Sequence, residues 1–266
     1  MLSATEIQAA VTALDQAERS RVQTGLLSLK YPNATMDDAY AIQTAWVRRK
    51  LAAGRKIIGW KIGLTSKAMQ SALNIATPDS GVLLDDMLFA DGASIPQNRF
   101  IQPRIEAEIA FVMKESLKGP DVTSQDVIAA TDYVAPSLEI LDTRIVRVDA
   151  ATKRVRTIVD TISDNAANAG IVLGNQKWAP QEFDLRWVGA IVSKNGEVEE
   201  TGLGAGVLND PALGIAWLAN RLAQYGDMIS AGQVVLSGSF IRPIETSHGS
   251  LIEADFGKFG RASCRF

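Results

Sequence analysis

The sequence predicts an α+β fold in which a helical amino-terminal arm, residues 1–55, precedes a β-rich core, residues 56–266. Apolar residues recur at helical spacing in the arm, and they alternate at period two in several segments of the core. The sequence contains no internal repeat and no linker rich in proline, glycine or serine. We therefore expect the 266 residues to form one domain, a size that a single hydrophobic core can support.

Two helices are predicted in the arm. The first follows from an apolar stripe within residues 3–23. The second is expected to begin after Thr35, because Asp38 follows at the spacing of a capping box. Gly54 is typical of a residue that ends a helix.

The core opens with a predicted strand, Lys56–Leu64. Lys61 shares one face of this strand with Gly59 and Gly63, so its neighbours on that face have no side chains. Glycine inside a strand often marks the close approach of a ligand or of another backbone. An exposed lysine on an edge strand explains the same pattern, and the residues alone do not separate the two interpretations.

Three later segments are expected to contain turns. Pro78-Asp79-Ser80-Gly81 has the composition of a turn, in which Asp79 is an ordinary turn residue. The small and polar stretch Asp160–Gly170 is unlike a core strand and favours a capped turn. Asn195-Gly196 predicts a hairpin between strands Leu185–Lys194 and Glu197–Thr201.

An acidic strand is predicted at Arg104–Met113. Glu106 and Glu108 share one face of it, roughly 6.5–7 Å apart, and would repel each other unless a cation lay between them. Glu139 is a third acid inside an apolar strand-like run. Three carboxylates without a Cys or His cluster suit a hard cation such as Mg²⁺ or Mn²⁺. A solvent-exposed charged face is the alternative for the first strand taken alone.

The composition excludes several classes of function. With a net charge of −3 and an isoelectric point near 5.4, the chain lacks the excess of positive charge that binding to nucleic acid or an anionic membrane surface would favour. No apolar run approaches the length of a membrane span. A single cysteine, Cys264, rules out internal disulfides and fits the cytoplasm. His248 is the only histidine and lies in a turn-like segment, so acid–base chemistry should fall to carboxylates and lysines.

Two glycine-rich segments have different interpretations. Gly202, Gly204 and Gly206 do not follow the dinucleotide-binding spacing, and no βαβ pattern surrounds them. The strand that begins at Gln233 ends in a turn at Gly238 and Ser239, where backbone N–H groups and a hydroxyl can hold a carboxylate.

Taken together, the chain resembles the hydratase/decarboxylase branch of the fumarylacetoacetate hydrolase superfamily from about residue 10 to its carboxyl terminus. The matching segments are Lys61-Ile62-Gly63-Leu64-Thr65-Ser66-Lys67, Arg104–Glu108, Ser137-Leu138-Glu139, Asp160–Gly170 and Ser237-Gly238-Ser239-Phe240. The resemblance implies a mixed β-roll core with short helices, and a homo-oligomer.

The resemblance also implies site residues. Glu106, Glu108 and Glu139 fall on the family's metal ligands, for Mg²⁺ or Mn²⁺, which agrees with the interpretation of the strands. Lys61 and Asp79 fall on its acid–base positions. Gly238 and Ser239 are candidate contacts to a small 2-oxo acid substrate.

The activity implied is metal-dependent hydration of a 2-hydroxydienoate, with 2-oxohept-4-ene-1,7-dioate from 4-hydroxyphenylacetate breakdown as the favoured substrate. Its distal carboxylate would need a cation, for which Arg156 is the first candidate, ahead of Arg144 and Arg242. The alternatives are hydration of 2-oxopent-4-enoate, decarboxylation of 4-oxalocrotonate, cleavage of an acylpyruvate, or an inactive β-rich scaffold. Acylpyruvate cleavage would usually require a histidine–acid pair, for which only His248 is available.

Overall fold

A computed structural model describes residues 1–67, 70 and 77–266. Its helices are α1 (Ala4–Ser20), α2 (Leu27–Lys30), α3 (Met36–Ala52), α4 (Ser124–Ala130), α5 (Ile158–Ser163) and α6 (Pro211–Ala223). Its strands are β1 (Ile57–Gly63), β2 (Asp79–Leu84), β3 (Leu88–Ala90), β4 (Ala93–Ser94), β5 (Arg104–Met113), β6 (Thr131–Leu141), β7 (Asn168–Leu173), β8 (Gly189–Lys194), β9 (Glu197–Leu203), β10 (Val234–Leu236), β11 (Ile244–Glu245), β12 (Leu251–Asp255) and β13 (Arg261–Arg265).

The strands form two sheets. The larger has the order β2-β1-β10-β5-β6-β7-β3, with β11 also paired to β5, and the smaller has the order β4-β13-β12-β8-β9. The larger sheet is mixed, because β1 pairs with β10 and β3 with β7 in parallel while its other pairs are antiparallel. The predicted α+β class with a mixed sheet and few helices is confirmed.

The helices at the amino terminus begin where their capping residues predict. The Thr35 hydroxyl accepts from the backbone N–H of Asp38, whose carboxylate accepts from the Thr35 N–H, so α3 has the expected capping box. The first helix has an equivalent box between Ser3 and Glu6. None of the helices within residues 1–67 and 77–266 has both the length and the apolar character needed to cross a bilayer.

The central strands β5 and β6 are buried on both faces. The alternation predicted for β5 is present, with Ile105, Ala107 and Ile109 fully buried on one face. Glu108 lies on the other face and is equally buried, so that face is not open to water. Strand β13 of the smaller sheet packs against β6, and both Glu108 and Glu139 lie inside the protein.

The hairpin prediction is confirmed in its turn and corrected at its start. Asn195 and Gly196 both have positive φ, 56° and 85°, as a primed two-residue turn requires. The first strand begins at Gly189 rather than Leu185, because Leu185–Trp187 forms a short 3₁₀ turn.

Two turn predictions were wrong. Asp79 and Ser80 begin strand β2, which pairs with β1 over its whole length and is buried throughout. The stretch Asp160–Gly170 contains the end of α5, a left-handed turn and the start of β7, and nearly all of it is buried. Strand pairing with β1 holds the first segment, and buried polar partners hold the second, which overrides the local preference for an exposed turn.

Candidate active site

Three carboxylates meet on one face of β5 and β6. The antiparallel register places Glu106 directly opposite Glu139, and Glu108 opposite Ser137, the residue two before Glu139. One oxygen from each of the three carboxylates lies within 4.8 Å of the others. Glu108 and Glu139 are fully buried, whereas Glu106 is partly exposed. The sequence prediction that these residues form one cluster is therefore confirmed.

The cluster has some oxygens with partners and others without. The Gly238 N–H donates to Glu108 Oε2 at 2.7 Å, and the Asn168 side-chain amide donates to Glu139 Oε1 at 2.8 Å. Glu108 Oε1 and Glu139 Oε2 are buried and have no hydrogen-bond partner among the described residues. Buried carboxylate oxygens without a partner are costly, and hard divalent cations prefer such ligands. The donor set fits Mg²⁺ or Mn²⁺.

The electrostatics of the cluster lead to the same conclusion. Burial, and then the neighbouring Glu139, raise the pKa of Glu106 to about 8. Burial and the two neighbouring glutamates likewise raise the pKa of Glu108 well above its ordinary value. Without a cation the cluster therefore tends to retain protons, and a bound cation would take their place.

Lys61 lies beside this cluster on β1. It is 3% exposed, and its Nζ lies 3.3 Å from Glu139 Oε1. Burial alone would lower the pKa of Lys61, but Glu139 and Asp79 outweigh it and raise the pKa above its ordinary value. Lys61 is thus a buried, charged donor, and the alternative of an exposed edge lysine is wrong.

Asp79 faces the same space from β2. The register pairs it with Gly63, and a Cβ on Gly63 would clash with Asp79 Oδ1 and lie 3.1 Å from Lys61 Nζ. Only glycine at position 63 allows these two side chains to approach each other. Burial raises the pKa of Asp79, and Lys61 opposes the rise. Asp79 Oδ1 lacks a hydrogen-bond partner within the described part of the chain.

In the turn after β10, Gly238 and Ser239 form hydrogen bonds with other groups of the protein. Gly238 has φ 113°, and a Cβ there would clash with the side chain of Thr65. Its N–H contacts Glu108, a predicted metal ligand, and so supports the cluster directly. The Ser239 hydroxyl donates to the Ile241 carbonyl at 2.9 Å and accepts from the Ile241 N–H at 3.2 Å.

A cavity of about 460 Å³ adjoins the partly exposed carboxylate of Glu106. Its lining includes Gly63, Thr65, Ser239 and Arg242. A second cavity, of about 490 Å³, is lined in part by Arg147 and the exposed His248 and includes none of the three glutamates. The first cavity therefore gives the route to the cluster.

The three candidate arginines have different surroundings. Arg144 has a structural role. It forms an ion pair with Asp164 and donates to the backbone oxygens of Asp164 and Asn168 at 2.7 and 3.0 Å. Arg242 is exposed and pairs with Glu200 at 2.6 Å. Arg156 has two buried guanidinium nitrogens without a partner in the described residues. Burial lowers the pKa of Arg156, while Asp164, Asp160 and Asp79 act in the opposite direction.

Asn168 is a site residue to which sequence reasoning assigned no role. It lies at the start of β7, fully buried, and contacts Glu139. The available signal was an unusual density of small polar residues in Asp160–Gly170, which we interpreted as a turn.

Comparison with known proteins agrees with this geometry. No family model matches the chain. The chain is 55% identical to a 2-oxo-hept-4-ene-1,7-dioate hydratase of Escherichia coli over 253 residues, which is 95% of each protein. It is 41% identical to a 2-hydroxyhexa-2,4-dienoate hydratase of Comamonas testosteroni over 255 residues, 95% of this chain and 94% of that one.

A solved structure extends the likeness to three dimensions. The 4-oxalocrotonate decarboxylase from Pseudomonas putida G7, complexed with magnesium and adipate, superposes with a TM-score of 0.93 at 36% identity, over 100% of this chain and 99% of that one. The chain belongs to the hydratase/decarboxylase branch of the fumarylacetoacetate hydrolase superfamily. The curated hydratases that it resembles are hydro-lyases, and this member of the superfamily carries the carboxylate cluster of a divalent-metal enzyme.

Proposed function

We propose that the protein is a divalent-metal-dependent hydratase that converts 2-oxohept-4-ene-1,7-dioate to 4-hydroxy-2-oxoheptane-1,7-dioate. The observation that carries the proposal is the buried cluster of Glu106, Glu108 and Glu139 next to Lys61 and Asp79. The similarity at 55% identity to a 2-oxo-hept-4-ene-1,7-dioate hydratase supports this choice of substrate.

Glu106, Glu108 and Glu139 would hold the cation, for which we propose Mg²⁺ or Mn²⁺. Such a cation supplies Lewis-acid chemistry, which polarises the 2-oxo group of the substrate and stabilises negative charge there. Magnesium in the related decarboxylase structure supports this choice.

Lys61 and Asp79 are the proposed proton-transfer pair. In the dienol form of the substrate, the hydroxyl proton must first move to C5, which leaves a double bond between C3 and C4 conjugated with the 2-oxo group. Water must then add across that bond, with its hydroxyl at C4 and its proton at C3. Asp79, whose carboxyl has a pKa raised by burial, can accept and return a proton. Lys61 keeps its charge, donates a hydrogen bond to the substrate, and holds Glu139 in place.

Arg156 is the proposed partner of the distal carboxylate. Its buried guanidinium nitrogens have no partner among the residues that the structure describes, which supports a charge-assisted contact with the substrate. Arg144 and Arg242 offer such a contact less readily, since both already pair with acids. Gly238 and Ser239 are proposed to border the substrate, with Gly238 acting chiefly through Glu108.

The proposal extends to the setting of the enzyme. We propose a role in 4-hydroxyphenylacetate breakdown, a cytoplasmic location and a homo-oligomeric state. The hairpin of β8 and β9 carries exposed Ile191 and Val198, 53% and 62% exposed, which supports burial against another copy of the chain.

Product mass is the decisive test. The purified protein with Mg²⁺ should add one water to 2-hydroxyhepta-2,4-dienedioate and release no carbon dioxide. Stoichiometric carbon dioxide from 4-oxalocrotonate would instead indicate a decarboxylase, the activity of the structural relative. Absence of turnover on every 2-hydroxydienoate, with metal bound, would contradict an enzymatic function.

A further inference from the structure

The backbone just before β7 forms a left-handed turn. Asn165, Ala166 and Ala167 have φ values of 52°, 51° and 59°, and none of them is glycine. For residues with a Cβ, and for alanine more than for asparagine, this conformation is unfavourable, and it normally occurs in single residues. Three in succession persist only where the surrounding structure holds them, and such strain is typical of functional sites.

Asn165 fixes one side of this turn to β2. Its side-chain amide donates to the Val82 carbonyl at 2.9 Å, and its carbonyl oxygen accepts from the Val82 N–H at 2.8 Å. The contact is close, since a Cβ on Gly81 would lie 2.6 Å from the Asn165 backbone oxygen.

Arg144 fixes the two ends of the turn. Its Nη2 donates to the backbone oxygens of Asp164 and Asn168, which flank the three left-handed residues, at 2.7 and 3.0 Å. Arg144 and Asp164 also form a fully buried ion pair. The strained backbone is therefore held from both sides by buried polar groups.

The first residue after the turn is Asn168, which faces the carboxylate cluster. Its amide donates to Glu139 Oε1, the oxygen that Lys61 Nζ also approaches at 3.3 Å. Glu139 Oε2 is then the oxygen without a partner in the described part of the protein. The contacts of Asn168 and Lys61 thus decide which oxygen of Glu139 is free.

We propose that the left-handed turn Asn165–Ala167 places Asn168 as a positioning residue, which fixes Glu139 so that Oε2 is offered to the metal ion. This inference rests on the metal site of the proposed function. Asn168 acts through Glu139, so its loss should affect metal affinity before any other property.

Metal affinity tests the role of Asn168. Asn168→Ala should weaken Mn²⁺ binding, measured by isothermal titration calorimetry, by about 10–100-fold. Asn175→Ala is the matched control, because Asn175 is exposed and its amide donates to Asp91, which is not one of the three clustered carboxylates. If the alanine variant does not fold, Asn168→Ser is measured in its place and should also weaken Mn²⁺ binding. Folded Asn168 variants that bind Mn²⁺ as tightly as the wild type would overturn the proposal.

Thermal stability tests the turn. Ala166→Gly should raise the Tm by roughly 2–4 °C and leave Mn²⁺ affinity within about twofold, because glycine adopts this conformation without strain. Ala190→Gly, in the buried part of β8, should instead lower the Tm. A lower Tm for Ala166→Gly would contradict the strained turn. A wild-type protein that binds no Mn²⁺ would refute the proposed function itself, a result separate from either of these.

Discussion

Glu106 and Glu139 lie directly opposite each other on adjacent antiparallel strands. Like charges in that relationship destabilise a sheet, and here the pair is joined by Glu108 in a largely buried environment. A cation bound among the three carboxylates would offset this repulsion.

Removal of one ligand charge should abolish most activity. Glu108→Gln and Glu139→Gln keep the side-chain volume but remove a charged oxygen from the cluster, so each should lower kcat/KM by about 100-fold or more. EDTA should inactivate the wild type, and added Mg²⁺ or Mn²⁺ should restore it. Full turnover by protein freed of metal would contradict the role of the cluster.

The pair Lys61 and Asp79 should affect turnover more than metal binding. Lys61→Met and Asp79→Asn each remove one proton-transfer group, which costs about 10²–10⁴-fold in kcat. Mn²⁺ affinity should change much less for Asp79→Asn, since Asp79 is not in the cluster of three ligands. Wild-type kcat in either variant, across the pH range, would rule out that residue.

Glycine at position 63 should be required for catalysis. Gly63→Ala introduces a Cβ where Asp79 and Lys61 meet, and displacement of a catalytic group by about 1 Å can cost 10²-fold in rate. Gly25→Ala is the matched control, because a Cβ at Gly25 meets no atom within 4 Å. Equal kcat for the two variants would show that the approach of Asp79 to Lys61 is not needed.

The metal-free protein should lose stability as pH rises. Glu106 has a pKa of about 8 when folded and an ordinary value of 4.5, so the folded state keeps a proton that the unfolded state releases. Its contribution to stability is present below pH 4.5 and is lost between pH 4.5 and 8. The Tm measured in EDTA should fall across that window, less steeply in Glu106→Gln, and Mn²⁺ should restore it most at the upper end. A Tm in EDTA that rises with pH in that window would contradict this assignment.

Arg156→Met should discriminate between substrates. Loss of a charge-assisted hydrogen bond of about 1.5–3 kcal/mol should raise KM for the seven-carbon diacid by about 10–100-fold. The shorter 2-hydroxypenta-2,4-dienoate has no distal carboxylate, so its KM should stay the same. Arg186→Met is the control, since Arg186 is exposed, pairs with Asp184 and does not line the cavity beside Glu106. Equal losses on both substrates would assign Arg156 to the fold.

Periodicity in the sequence was enough to predict that the three carboxylates lie together. Side chains alternate strictly along a strand, so Glu106 and Glu108 had to share a face, and an acid in the apolar run around Glu139 needed a partner. The same rule placed Lys61 between two glycines. The family resemblance then supplied Asp79, whose local sequence indicated only a turn.

The errors came where long-range partners replaced local preference. Asp79 begins a strand because Gly63, remote in sequence, leaves space opposite it. Asn165 and Asn168 are buried because their amides reach Val82 and Glu139. Short-range patterns carry no information on such pairings, since turn formers and buried polar residues are the same residue types.

The parallel pairing of β1 with β10 limits how early folding of the site can be completed. Gly59 pairs with Val234, so the strand that carries Lys61 waits for a partner near the end of the chain. The backbone N–H of Gly238, which supports Glu108, comes later still. Closing so long a loop is slow. A nascent chain that already contains all three glutamates still lacks the strand that pairs with β1 and the Gly238 N–H that contacts Glu108. Cation capture should therefore be a late event in biosynthesis, which follows synthesis of the chain as far as Gly238.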